Sequence, residues 1–216
     1  IESKFLAHKV NDRERAMVVT SLIYARDRIS HTCGHYDSFI RDGKYEGELI
    51  LRMPDNDYEL NVNNHVYCAD SNMIASDESV DVAYLDPPYN SRQYCDAYHL
   101  LENVARWEKP QVFGIAKKMD RTQMKSNYCK SVEAAKALRD LVLKLNSRYI
   151  LLSYNNNGKK LQCRSNAKMT DEEIFEILSL RGDVKVFTMG YRGFDAGKSE
   201  FNKDNQERIF LCSVNK

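Results

Sequence analysis

No run of apolar residues in this 216-residue chain approaches the ~18 needed to cross a bilayer, so the sequence offers no membrane span. It shows no secretory leader either, and the expectation is a cytoplasmic protein. No Cys-x-x-Cys pair is present. The six cysteines, Cys33, Cys68, Cys95, Cys129, Cys163 and Cys212, are scattered, which argues against a disulfide framework and suits a reducing compartment. Repeats and low-complexity tracts are missing as well. A large charge excess is also absent: a formal net charge of +1 with 29% charged residues describes an ordinary chain, not a histone-like one.

The distribution of charge says more than the total. From Asp42 to Asp86 there are eleven acids against Lys44 and Arg52, whereas from Arg106 to Arg148 eleven bases face only Glu108, Asp120, Glu133 and Asp140. The basic stretch reads either as a region facing a polyanion, with Lys117, Lys118, Arg121 and Lys125 as phosphate contacts, or as a solvated face. His31-Thr32-Cys33-Gly34-His35 invites a metal reading, but no fourth ligand stands at recognisable spacing; a helix end terminated by Gly34 is preferred, with no metal site.

Local patterns predict a helix over Asp12–Ile29, with Asn11 or Asp12 as its N-cap and Ala16, Val19, Ile23 and Ala25 on one side. Glu48–Met53 and Tyr58–Val62 flank a turn-rich Pro54-Asp55-Asn56-Asp57 and read as a hairpin. His65–Cys68 reads as a strand ending at Asp70. A helix from an Asp96 cap to about Trp107 stops at Pro110, and Gln111–Cys129 reads as a long loop. Ser131 is the expected cap of a helix carrying Ala135, Leu138, Val142 and Leu145. Tyr149–Ser153 is a buried-type strand closed by Asn155–Gly158. Thr170-Asp171-Glu172-Glu173 is a capping box for a helix through Leu180, stopped by Gly182. Val184–Met189 and Arg208–Val214 are strands, read as an antiparallel pair. The whole is an α/β pattern.

One stretch organises the rest. Val80–Leu85 reads as a strand buried on both faces, and it stops at Asp86-Pro87-Pro88-Tyr89. Two prolines donate no hydrogen bond and fix φ, so the strand cannot continue through them. Asp86 and Tyr89 are thus presented on a stiff loop at a strand's carboxyl end, where open α/β sheets bind ligands.

Asp-Pro-Pro-Tyr after an apolar strand resembles the catalytic motif of amino-methylating DNA methyltransferases. The longer run Asp86-Pro-Pro-Tyr-Asn-Ser-Arg-Gln-Tyr94, followed by Tyr98-His99-Leu100-Leu101-Glu102, is similar to the D12, adenine-specific class. The resemblance implies a Rossmann-like core that uses S-adenosylmethionine to methylate N6 of a flipped adenine in double-stranded DNA, as the modification arm of a restriction–modification or phage system. It implies that Asp86 and the carbonyl of Pro87 hold the amine and that Tyr89 stacks on the base. It also implies that Asp70 accepts from the cofactor's adenine and that Tyr98 and His99 lie beside its methionine. The rival reading of Asp70 is a turn or helix cap, and of Tyr98 helix packing. Arg92 and Asn155 join the basic residues as candidate DNA contacts.

The Phe-x-Gly-x-Gly loop usual in this class has no counterpart in Ile1–Tyr67; Gly34, Gly43 and Gly47 lack its spacing. The expectation is a partial core over residues 61–216, with a basic loop–helix region at 106–148. Residues 1–60 form a preceding helical and hairpin segment, possible as an inserted lobe. The first strand and cofactor loop would come from a missing N-terminal segment, in keeping with a start at Ile1, or from a second polypeptide. Two rivals stand: a split or non-catalytic DNA-binding subunit, and a methyltransferase acting on RNA or protein glutamine.

Overall fold

The structure is a computed structural model that describes residues 1–29, 35–36, 47–55, 62–115, 117–155, 167–190 and 206–215. In chain order the elements are α1 (Glu2–Leu6), α2 (Asp12–Ile29), α3 (Ser71–Ile74), β1 (Ser79–Leu85) and α4 (Tyr94–Arg106). There follow β2 (Val112–Phe113), β3 (Lys118–Met119), α5 (Ala134–Lys144), β4 (Asn146–Asn155), α6 (Asp171–Ser179), β5 (Gly182–Gly190) and β6 (Gln206–Val214). They fall into two compact units: Ile1–Val66 with Tyr94–Met124, and Tyr67–Gln93 with Lys125–Lys216. The architecture is mixed α/β.

The second unit is built on a four-stranded sheet of order β1-β4-β6-β5. β1 runs parallel to β4, with Val82 opposite Tyr149 and Leu85 opposite Leu152. β6 is antiparallel to both β4 and β5, as the terminal strands suggested. Ile150, Leu152 and Tyr154 alternate along β4 and bury one face with Phe210 and Cys212 of β6. α5 covers that face with Leu138, Leu141 and Val142, and α6 with Ile174, Ile177 and Leu178. Each fully buried aliphatic side chain contributes about 1.5–3 kcal/mol of transfer free energy.

α6 starts on the expected capping box: the Glu173 amide donates to Thr170 Oγ1 at 3.2 Å and the Thr170 amide to Glu173 Oε2 at 2.8 Å. Gly182 does more than stop that helix. It is the first residue of β5, and a Cβ there would stand 1.9 Å from the Ser213 carbonyl oxygen, so only glycine allows the two backbones to meet. α5 lacks the Ser131 cap; the Ala134 amide bonds the Lys130 carbonyl instead, at 2.9 Å.

β1 departs from expectation. Only Ala83 is buried, while Val80, Val82 and Tyr84 are exposed, because among the described residues β1 pairs on one edge only and one face stays uncovered. Residues 65–68 are not a strand either: they carry no regular structure, and Val66 is 93% exposed. The short span from there to β1 holds the single short helix α3, as its length required.

In the first unit, Asn11 caps α2 with a reciprocal pair of bonds to Glu14, both 2.9 Å. Val19 and Ala25 are buried as expected, but Ala16 is exposed. Residues 48–53 carry no regular structure, and Tyr58, the start of the other hairpin arm, lies outside the described residues, as do His31, Cys33 and Gly34. α4 begins two residues before Asp96, whose carboxylate takes Arg121 Nε at 2.6 Å instead of capping the helix. The helix stops before Pro110: Trp107 adopts φ 56°, with Trp107 N–H donating to Val104 O (3.2 Å) and Glu108 N–H to Asn103 O (2.9 Å). That double bond pattern is a Schellman stop. The expected loop at Gln111–Cys129 is instead the hairpin β2–β3 followed by two 3₁₀ turns. Strands of two residues are too short to leave a period-2 signal.

Candidate active site

β1 delivers Asp86 directly after Leu85, at the carboxyl end of the parallel pair. Asp86 is exposed and has no hydrogen-bond or ion-pair partner among the described residues, while Pro87, Pro88 and Tyr89 are half-buried. The acid is therefore held on a stiff segment yet left available as an acceptor. Behind it, the ring of Tyr89 meets Tyr154 edge-on, at 6.3 Å and 78°. Asn90 Oδ1 accepts the Arg92 amide at 2.8 Å, closing an Asx turn that leaves the Arg92 side chain exposed. Gln93 then clasps Ser126 through both its amide nitrogen (3.0 Å to the carbonyl) and its oxygen (2.8 Å from the amide).

Asp70 stands in the same unit as the N-cap of α3, its Oδ1 accepting the Asn72 amide at 2.9 Å. The cap reading is thus realised with one oxygen, and Asp70 is exposed. α3 is pinned through Asn72, which donates to the Ala137 carbonyl and to Asp140 Oδ2, both at 2.8 Å, and accepts from Tyr128 Oη at 3.0 Å. Burial, reinforced by the charges of Asp70 and Asp140, pushes the Tyr128 hydroxyl far above its ordinary pKa, so it stays a donor. Lys144, and after it Asn72, hold the Asp140 carboxyl below the usual range. Sequence reasoning missed Asn72 and Tyr128, whose partners lie too far along the chain to leave a local signal.

The other candidates divide between the units. In the first, Tyr98 is exposed and packs on Tyr94 at 6.0 Å. His99 is 5% exposed; its Nδ1 lies 3.2 Å from the Asp96 carbonyl, which can only accept, so Nδ1 carries the proton. Lys117 is exposed in the β2–β3 turn at φ 51°, next to an Ile115 that is 92% exposed. Lys118 is half-buried, and burial followed by the neighbouring Arg121 lowers its pKa. Arg121 is held by Asp96 and by the Met119 carbonyl. In the second unit Lys125 is exposed, whereas Asn155 is buried and donates to Glu207 Oε1 at 2.6 Å. Among the described residues no group of three or more His, Cys, Asp or Glu is placed to hold a metal, and no described helix is long and apolar enough to cross a membrane.

An exposed acid on a Pro-Pro loop at the carboxyl end of a sheet strand stands where α/β proteins bind their ligands. Residues 6–162 match the family described as D12 class N6 adenine-specific DNA methyltransferase, and the chain belongs to that family. It is 34% identical over 214 residues to modification methylase StsI of Streptococcus sanguinis, covering 97% of this chain and 31% of that protein. It is 32% identical over 209 residues to type II methyltransferase M.FokI of Planomicrobium okeanokoites, covering 93% and 30%. With type II methyltransferase M.NlaIII of Neisseria lactamica the identity is 30% over 184 residues, covering 85% and 52%. The chain thus spans about a third of the length of the first two relatives. No solved structure gives a significant match.

Proposed function

We propose that this chain is the catalytic portion of an S-adenosylmethionine-dependent enzyme that methylates N6 of adenine in double-stranded DNA, in a restriction–modification setting. The observation that carries the reading is the Asp86-Pro87-Pro88-Tyr89 loop at the carboxyl end of β1, with its carboxylate unengaged, in a chain of the D12 family. The adenine amine is a weak nucleophile because its lone pair is delocalised into the ring. Asp86 accepts a hydrogen bond from one amine N–H and the Pro87 carbonyl from the other, drawing the nitrogen toward tetrahedral geometry; both acceptors sit on a preorganised loop. Tyr89 stacks on the flipped base and offsets part of the few kcal/mol that unstacking costs. Arg92, Lys117 and Lys125 are exposed cations suited to phosphates.

The cofactor fits part of what is present. Its role is to supply the methyl group. Asp70 keeps Oδ2 outside the cap bond and is exposed, which suits it to accept from the cofactor's adenine. A turn that admits the methionine end needs glycine, because a Cβ blocks the approach, and the sequence has no Phe-x-Gly-x-Gly. We therefore place that loop outside these 216 residues and propose a Rossmann-like core completed by it.

The test is methyl transfer from labelled S-adenosylmethionine to duplex DNA, with mass spectrometry of the nucleosides, in the presence of a polypeptide that carries the loop. N6-methyladenine should form, and Asp86→Ala should abolish it while DNA binding survives. A variant rate within a fewfold of the parent would refute the assignment of Asp86. Tight cofactor binding and full turnover by residues 1–216 alone would refute the divided cofactor site.

A further inference from the structure

We infer that Tyr154 is a positioning residue for the Asp86–Tyr89 loop, acting through a buried hydroxyl that ties the loop's last carbonyl to the backbone at Lys168–Met169. The inference rests on the function proposed above. Pro87 and Pro88 have no N–H to give, so the loop can be fastened chiefly through its acceptors. The Tyr89 carbonyl is one that is fastened: it accepts the Lys168 amide at 2.9 Å and the Tyr154 hydroxyl at 3.4 Å.

The same Tyr154 oxygen accepts the amides of Lys168 at 3.2 Å and Met169 at 3.1 Å. A tyrosine hydroxyl has one donor and two acceptor sites, and here all three are used. Tyr154 is 1% exposed within the core under α5 and α6, where a phenylalanine would fill the same space. Packing thus accounts for the ring but not for the oxygen, which among the described residues bonds the loop and the segment leading into α6. Burial raises the pKa of this hydroxyl, keeping its proton in place for Tyr89 at neutral pH. The edge-on contact at 6.3 Å also sets the plane of the Tyr89 ring. The main chain of Tyr154 is itself steadied by Arg208 Nε, which donates to its carbonyl at 3.3 Å. A loop so fastened keeps Asp86, Pro87 and Tyr89 in one geometry; a misplacement of about 1 Å costs on the order of 100-fold in rate.

The experiment is Tyr154→Phe, with Ile174→Val as a control of comparable stability loss in the same core. In the methylating enzyme, assembled with its cofactor loop, Tyr154→Phe should lower kcat tenfold or more. KM for DNA and for S-adenosylmethionine should stay within twofold, and Ile174→Val should keep kcat within twofold. Hydrogen exchange at the Met169 amide, whose bond is to the Tyr154 hydroxyl, should quicken tenfold or more in Tyr154→Phe and not in the control. A kcat within twofold of the parent overturns the inference, and so does an unchanged amide rate or an equal loss of kcat in the control. If the parent enzyme methylates no adenine, the proposed function falls by itself, and the amide rate still decides whether the hydroxyl holds the loop.

Discussion

Replacing Asp171 by Asn tests the electrostatics behind the loop, because Arg208 is a charge with little access to water. Arg208 is 3% exposed, its Nη1 is paired with Asp171 Oδ1, its Nε donates to the Tyr154 carbonyl, and its guanidinium lies 5.7 Å from the Phe210 ring centroid. Burial lowers its pKa, the sign of a cation that is poorly solvated. Removing one partner of a buried pair costs about 3–5 kcal/mol. Asp171 is half-exposed, so water screens part of the interaction and the lower part of that range applies. Loss of the acid from the first turn of α6 adds about 0.3–1 kcal/mol. The sum is about 3–4 kcal/mol, or a fall in Tm of roughly 6–16 °C for a chain of this size. Urea and thermal unfolding should be followed by far-ultraviolet circular dichroism, since the single tryptophan, Trp107, belongs to the other unit. Adding Arg208→Met to Asp171→Asn should restore about 1 kcal/mol or more, since no bare charge is then left in the core. A loss under about 0.5 kcal/mol from Asp171→Asn, or a double variant as weak as the two single losses added, would refute the buried-charge argument.

Two further outcomes follow from the charged and ionisable groups. Lys117→Gln and Lys125→Gln should each lower the slope of log affinity for duplex DNA against log salt by roughly 0.9, and Arg121→Gln by less because Asp96 already neutralises it; slopes unchanged in all three return these residues to a solvated surface. Above about pH 10 the unfolded chain releases its tyrosine protons, whereas burial keeps those of Tyr128 and Tyr154 bound in the fold, so their contribution to stability is whole below that pH and is lost as pH rises. Tyr128→Phe and Tyr154→Phe should each flatten the fall in urea midpoint between roughly pH 9 and 11, and a parallel fall in variant and parent would contradict the burial assigned to that hydroxyl.

What could be read from the sequence was whatever is written in neighbouring residues. The Asp86–Tyr89 loop and the Thr170–Glu173 capping box are contiguous, and both stand where expected. Ser131 and Asp96 are cap-type residues by the same local rule, yet one is replaced by a backbone bond and the other is drawn to Arg121, twenty-five residues on. The stop at Trp107 was illegible for another reason: a large aromatic rarely takes a positive φ. Charge counting marked the Arg106–Arg148 stretch but could not say which cations are engaged. Arg106 lies on Glu102 at 2.5 Å, Lys144 on Asp140 at 2.8 Å and Arg148 on Asp81 at 3.2 Å. Tyr154 was missed because its role lies in bonds to residues 89, 168 and 169, and nothing beside it in the chain shows them.

β1 carries Asp86 on a ladder of an unusual kind for this sheet. β5 and β6 pair antiparallel along their whole length, and β6 pairs the same way with β4. β1 alone joins in parallel, across the interval of residues 86–145, and on one edge only among the described residues. Closing so long an interval costs chain entropy before any contact is gained, so β1 is expected to be among the last strands to dock as the chain folds. The consequence reaches the chemistry: a partly folded chain can hold a formed hydrophobic core and still lack the ordered acid at residue 86. Substitutions that weaken the β1–β4 seam would then reduce the fraction of competent molecules long before they change the melting of the rest, so the site itself reports on completed folding.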